Sequence, residues 1–261
     1  MDAVLAVLQV PVLVQRSPEW YEKRKTRITA SEVASILGEN PYEGAADVAL
    51  RKKGLGKPFT GNIATRYGQA HESAAIAAYC AALGRVSFEV GLIDYEAIHG
   101  KGSELFFLAG SPDGITVLRP ERAAAEAGAA TATDTAPRCV RVLGPNGDER
   151  APTVARASVE AFLGTSRLAP VMLEVKCPYR RKIVQGTIPR HYYAQVQINM
   201  LICGLPHADF VEYRPPPNFE LNIVRVVPDI AWLRDAIPKL TKFHAELFSF
   251  SVAPATEDSG G

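Results

Sequence analysis

At 261 residues, 47% of them hydrophobic, the chain can bury a full core, and one domain carrying an insertion accounts for it better than two domains do. The net charge of +1, from 29 basic and 28 acidic residues, neither demands nor excludes a nucleic-acid partner, so local clustering has to decide. Cys80, Cys139, Cys177 and Cys203 stand far apart with no C-x-x-C pair; this speaks against a zinc ribbon or an iron–sulfur cluster and for free thiols in an intracellular protein.

The apolar stretch from Met1 to Val14 lacks a basic lead, is broken by Pro11 and is too short to span a bilayer. It is expected to be a packed terminal segment of a soluble protein. Ser17-Pro18 opens a helix-like segment through Trp20, Arg24 and Arg27. Thr29 then caps a helix, with Glu32 three residues on as a capping box and Gly38 as its stop. Ser31 falls in the first turn, where free backbone N–H groups favour an anion, and Arg24 and Arg27 approach that end. A solvated basic turn is the plainer alternative.

A second short helix, 46–53, runs into the basic loop Arg51-Lys52-Lys53-Gly54-Leu55-Gly56-Lys57, a candidate for touching a phosphate backbone without reading sequence. The spacing then predicts a long Ala-rich helix over 63–83, closed by Gly84. Gly68 is expected to mark close approach of another backbone, since glycine costs about 1 kcal/mol inside a helix. Glu72, four residues on and on the same face, is either an exposed helix acid or an inward ligand.

Residues 86–93 and 105–109 read as strands, the second almost entirely apolar and therefore buried. Ser111-Pro112-Asp113-Gly114 has turn chemistry, and the following Ile115–Leu118 run makes it the end of a hairpin. Residues 119–169 read as an insertion, Ala/Glu/Thr-rich at first, then with a short strand at 138–143, a turn, and a short helix at 154–163.

Next comes Val171-Met172-Leu173-Glu174-Val175-Lys176-Cys177-Pro178, a buried-strand pattern stopped by proline. Alternation sends Glu174 and Lys176 to one face and Leu173 and Val175 to the other. Burying an acid and a base together is costly unless they are paired or hold a metal. An isolated E-x-K is more often a solvated face, so the case rests on partners elsewhere.

The basic patch Tyr179-Arg180-Arg181-Lys182 precedes a helix from about Arg190 to Gly204 whose Tyr192, Gln195 and Asn199 form a polar stripe where a core helix would be apolar. Strands follow at 208–213 and 221–227, then a helix capped by Asp229 with His244 on its apolar face, more simply a core histidine than a ligand. A disordered tail is expected at 253–261, after a single domain over 1–252.

Glu72, Asp113 and Glu174 supply the hard oxygens that magnesium requires, and Lys176 a charge able to polarise a water or to stabilise developing negative charge. Pro112-Asp113 with Glu174-x-Lys176 has the form of the PD-(D/E)xK nuclease core. With Trp20, Arg24, Ile28-Thr29-Ala30-Ser31-Glu32-Val33, Tyr67-Gly68-x-x-x-Glu72, Ser111-Pro112-Asp113-Gly114 and Ala194-Gln195-Val196-Gln197, the chain resembles the lambda-exonuclease or YqaJ-type viral recombinase branch of that superfamily from about residue 16 to 213.

That resemblance implies an α/β, restriction-endonuclease-like fold, a mixed central β-sheet flanked by α-helices. It implies divalent metal, Mg2+ or Mn2+ and two ions per site, on Glu72, Asp113, Glu174 and the Val175 carbonyl, with Lys176 beside the attacking water. It implies a terminal-phosphate pocket of Arg24, Ser31, Ser111 and Gln195, with Arg27 a second candidate. The implied activity is 5′-to-3′ digestion of one strand of linear double-stranded DNA, leaving a 3′ overhang for a single-strand annealing protein. The implied assembly is a homotrimer threaded by DNA, acting in the cytoplasm or, for a virus, in the nucleus of the infected cell. The alternatives are an endonuclease or alkaline-nuclease-like enzyme acting on DNA and RNA, and a nucleic-acid-binding module with a dead site. The insertion between Asp113 and Glu174 departs from the family's short hairpin and leaves ring assembly open.

Overall fold

The computed structural model describes residues 2–13, 17–56, 61–118 and 170–248. The expected insertion at 119–169, with its strand and helix, and the expected tail at 253–261 lie outside the described residues, as does Lys57 of the basic loop.

The chain begins with helix α1 (Asp2–Gln9), whose Val4 and Val7 enter the core, and α2 (Pro18–Lys25), where the Ser17 hydroxyl accepts a bond from Trp20 N. After the two-residue strand β1 (Ile28–Thr29), α3 (Ala30–Ile36) starts as its capping box requires, with Glu32 accepting the Thr29 N–H at 2.9 Å. Then come α4 (Ala45–Lys52) and the long α5 (Ile63–Leu83), begun by Asn62 accepting from Thr65 N and ended by Gly84 in the left-handed conformation.

The run over 86–93 is divided. Strand β2 (Arg85–Phe88) joins the larger sheet and β3 (Ile93–Asp94) the smaller, followed by the short α6 (Tyr95–His99). Gly91 lies between the two strands, where a Cβ would stand 2.8 Å from the Val12 Cα, so the N-terminal segment passes hard against the break.

Strand β4 (Leu108–Gly110) pairs with β1 and β3, whereas β5 (Gly114–Leu118) pairs with β2 and β6 (Val171–Lys176). Ser111-Pro112-Asp113 is therefore not the tip of a hairpin. It carries the chain from one sheet to the other, and turn-forming residue types serve that bend equally well.

Helix α7 (Arg190–Cys203), strands β7 (Ala208–Arg214) and β8 (Glu220–Val226), and helix α8 (Ile230–Phe248) complete the chain. The larger sheet has the order β2-β5-β6-β7-β8, with β6 and β7 parallel and its other pairs antiparallel, so it is mixed as expected. Alternation along β6 sends Leu173, Val175 and Cys177 into the cluster built on Ala75, Ile76, Tyr79 and Cys80 of α5. Met172 joins the opposite cluster, which contains Ala194, Val196 and Ile198 of α7.

One polar tie sets α5 on this sheet and another joins α7 to α8. Buried Tyr79 of α5 donates to Asp209 of β7 at 2.5 Å, and Asp229, the N-cap of α8, accepts from Tyr193 of α7 at 2.8 Å. His244 is half-buried and stacks on Phe107 with ring centroids 4.7 Å apart, a packed aromatic contact and not a ligand of the site.

Candidate active site

The parallel β6–β7 pair with α7 as its crossover leaves the carboxyl end of β6 facing a crevice, where ligands of open α/β sheets usually bind. A cleft of about 260 Å³ opens there. Gly68 and Glu72 of α5, Val175 to Pro178 after the β6 strand core, and Tyr192 of α7 line it. Gly68 is not forced by a close backbone: a Cβ there would meet only the Cys177 carbonyl oxygen, at 4.0 Å. Its effect is to keep that cleft wall low.

Glu174 is fully buried, and each of its oxygens is held. Oε1 pairs with the Lys176 ammonium and accepts from Gln195 Nε2 at 2.6 Å, while Oε2 accepts from Asn199 Nδ2 at 3.0 Å. Gln195 and Asn199 are one turn apart on α7, so the polar stripe exists to address one carboxylate. Tyr192, on the same stripe, puts its ring 5.3 Å from Lys176 Nζ.

Asp113 follows from the departure of β5. Its N–H donates to the Leu173 carbonyl at 3.0 Å, and its Oδ2 accepts the Val175 N–H at 2.6 Å. The side chain thus replaces the backbone acceptor that β6 loses where the chain bends away, and the carboxylate is delivered beside Glu174. Gly110 makes room for Asn199, because a Cβ there would lie 2.2 Å from Asn199 Oδ1.

The charges show how closely these groups gather. Burial, reinforced by Asp113 and opposed by Lys176, pushes Glu72 up to about 7. Burial, opposed by Lys176 and reinforced by Asp113, does the same to Glu174. Asp113 is also raised by burial, against the pull of Lys176 and the Val175 N–H. Burial works against the Lys176 ammonium, but Glu174 and Asp113 more than offset it and hold the lysine above its ordinary value. One ammonium, Lys176, faces three acids within its electrostatic reach, and Asp113 raises both Glu72 and Glu174.

The chemistry of these side chains fits a hard divalent cation: three carboxylates whose charge exceeds what their own lysine compensates. Among the described residues no three His, Cys, Asp or Glu side chains already converge as a metal cage. The Glu174–Lys176 pair and the Asp113–Val175 bond hold oxygens that a cation would claim.

A second cluster lies at the start of α3. Arg24, stacked over Trp20 at 4.3 Å, donates to Thr29 Oγ1 at 3.0 Å and to Ser31 Oγ at 3.4 Å. Beneath them buried Glu32 holds Lys52 at 2.7 Å and Arg51 at 3.3 Å. Burial opposes the Glu32 charge, yet Lys52 and Arg24 keep its carboxyl below the usual value. Arg24, Lys52 and Arg51 surround that carboxylate, with Arg51 shared with Glu43, so the cations near Ser31 exceed the acids by one.

Of the other expected phosphate residues, Gln195 sits on Glu174, and Ser111 precedes Pro112 in the crossing between sheets. Arg27 is directed elsewhere, at 3.4 Å from Asp94, which also pairs with Lys23 at 2.9 Å. Asn199 and Tyr192 were visible in the sequence only as a polar stripe with no target. Arg51 and Lys52 were visible only as a basic run.

Residues 19–206 match the YqaJ-like viral recombinase domain. A protein of Acanthamoeba polyphaga mimivirus is 26% identical over 236 residues, covering 86% of this chain and 34% of its own length. A protein of African swine fever virus (isolate Tick/Malawi/Lil 20-1/1983) is 24% identical, covering 72% of this chain and 46% of its own. The chain thus spans half or less of the length of these relatives. In three dimensions it is similar to an alkaline exonuclease from Laribacter hongkongensis, with a TM-score of 0.56 at 24% identity over 89% of this chain and 93% of that one. The mixed sheet flanked by helices is accordingly the restriction-endonuclease-like fold, and the chain belongs to the YqaJ-like viral recombinase domain family.

Proposed function

We propose that the protein is a divalent-metal-dependent exonuclease. It degrades one strand of linear double-stranded DNA from the 5′ end and leaves a 3′ overhang for recombination or end processing. What supports this reading is the mutual electrostatic influence of Asp113 and Lys176 with Glu72 and with Glu174 about the end of β6, and the charge imbalance described above. The Laribacter enzyme of the same fold is an alkaline exonuclease, and a second structure of it holds dAMP.

Glu72, Asp113, Glu174 and the Val175 carbonyl would hold Mg2+ or Mn2+, which supplies activation of a water and neutralisation of the leaving oxygen. The rest is done by the chain's own groups. Because Lys176 stays protonated, it serves as a charged donor to the attacking water or to a phosphoryl oxygen, and it is unsuited to taking a proton. Gln195 and Asn199 orient the Glu174 carboxylate. Arg24 and Ser31, with Ser111 at the neighbouring crossing, would receive a terminal 5′ phosphate, and the Glu32, Arg51 and Lys52 cluster holds Arg24 in position. A homotrimer around the DNA and a single-strand annealing protein taking the overhang belong to the same reading.

The test is digestion of end-labelled linear duplex with Mg2+, with 5′-phosphate and 5′-hydroxyl ends compared and closed circular duplex alongside. The reading expects faster loss of the phosphorylated strand and an intact circle. Cutting of the circle would show an endonuclease, and equal rates at the two ends would remove the phosphate pocket.

A further inference from the structure

A line of rings leaves the cleft on the α7 side. Tyr192 lines the cleft beside Lys176. The His191 ring lies 4.1 Å from Tyr192, and Tyr42, on the loop between α3 and α4, lies 6.0 Å beyond His191. Tyr42 is 82% exposed, the most exposed of the large hydrophobic side chains among the described residues. It meets His191 edge to face, at 86°, so the two rings are not stacked on each other.

The exposure of this ring is not slackness of its loop. Asn40 Oδ1 accepts the Tyr42 N–H at 3.0 Å, and Asn40 Nδ2 donates to Ser35 at 2.9 Å. Ser35 in turn donates to Glu43 at 2.9 Å, and Glu43 pairs with Arg51. The backbone on both sides of Tyr42 is tied to α3 and α4, while the ring is left bare. Burial, with Arg181 and Lys176 adding and Glu212 opposing, lowers the His191 pKa and so favours the uncharged ring. Lys176, paired with Glu174, and Arg181, paired with Glu212, lie over Tyr192 at 5.3 and 5.7 Å, so the inner end of the line already carries cation–π contacts.

Aromatic faces at intervals bind unpaired nucleotides whatever their sequence, because every base has a π-face. A protein-binding patch would instead need a broad apolar surface, and this is a row one ring wide. We propose that Tyr42, His191 and Tyr192 form a stacking track for the unpaired bases of the DNA strand that enters the cleft, with Tyr42 as its outer platform. The inference rests on the nuclease reading above, and it adds a single-strand subsite that the acids and the phosphate pocket do not require.

The probe is a short 5′-phosphorylated single-stranded oligonucleotide carrying one 2-aminopurine, moved from position to position. It is bound in Ca2+ in place of Mg2+ to slow cutting, because stacking on a ring quenches this base. The wild-type protein should quench strongly at one or more positions. Tyr42→Ala and Tyr42→Leu should abolish the outermost quenching and raise Kd about tenfold, the order expected for one stacked base, while Tyr42→Phe should keep both. Unchanged quenching and Kd in Tyr42→Ala would overturn the proposal, as would loss in Tyr42→Phe equal to that in Tyr42→Ala, which would point to the hydroxyl. Wild-type hydrolysis of linear duplex in Mg2+, measured in parallel, separates the two readings: cutting without quenching removes the track alone, and absence of cutting removes the nuclease.

Discussion

Lys176 shows how burial and charge combine at a single residue. Held above its ordinary pKa by Glu174 and Asp113, it is a permanent cation in the cleft. Lys176→Met should lower kcat by about 10²- to 10³-fold while leaving Kd for DNA within a few-fold, as read by single-turnover digestion beside a binding titration. Glu72 and Glu174 make the opposite case, since both are raised from 4.5 to about 7. A carboxyl with a raised folded pKa binds its proton more tightly in the folded state, so its contribution to stability is present at low pH and is lost as pH rises from 4.5 through about 7. With a chelator present, Tm should fall across that window, and Glu72→Gln should flatten the fall. Mg2+ should then raise Tm more at about pH 8 than at about pH 5, because only ionised acids bind it. A pH-independent Tm in chelator would contradict the charge assignment.

At the scale of elements, α5 and α7 approach one strand end from opposite faces of the sheet, and each is held there by a polar tie. Tyr79 lies two turns beyond Glu72 on α5 and donates to Asp209, so Tyr79→Phe should cost about 1–2 kcal/mol in urea denaturation while Asp209 keeps its pairing with Arg225. Gly110→Ala drives a methyl into Asn199 Oδ1 and should cost about 1–3 kcal/mol, with activity falling further than Tyr79→Phe makes it fall, since the displaced amide is the one holding Glu174. Equal activity losses in the two variants would count against Asn199 as a positioning residue. The helices, their caps and the alternation along β6 could be read from the sequence because each depends on neighbours within a turn or two. The break in the run over 86–93 and the path through Ser111-Pro112-Asp113 could not, because the choice of sheet depends on partners far along the chain. A tight hairpin and a sheet-to-sheet crossing use the same residue types.

For the molecule as a whole, the chemistry was more legible than the topology. Glu174 and Lys176 were placed on one face by the two-residue period of a strand, and Glu72 was left open between surface and interior until α5 was seen against β6. The polar stripe of α7 had no meaning before Glu174 was found beneath it. Arg27 had only its nearness to Ser31, and Asp94, more than sixty residues away, takes it. These corrections share one cause: a side chain's partner is set by the three-dimensional path, which local pattern does not encode. The central claim, that the end of β6 is a cation-dependent phosphodiesterase centre, is tested most directly by digestion of 5′-phosphorylated linear duplex by the wild-type protein and Asp113→Ala, with and without Mg2+. The account predicts strand loss only for the wild type with Mg2+, while Asp113→Ala still binds the duplex. Cleavage by Asp113→Ala at the wild-type rate, or by the wild type in excess chelator, would contradict it.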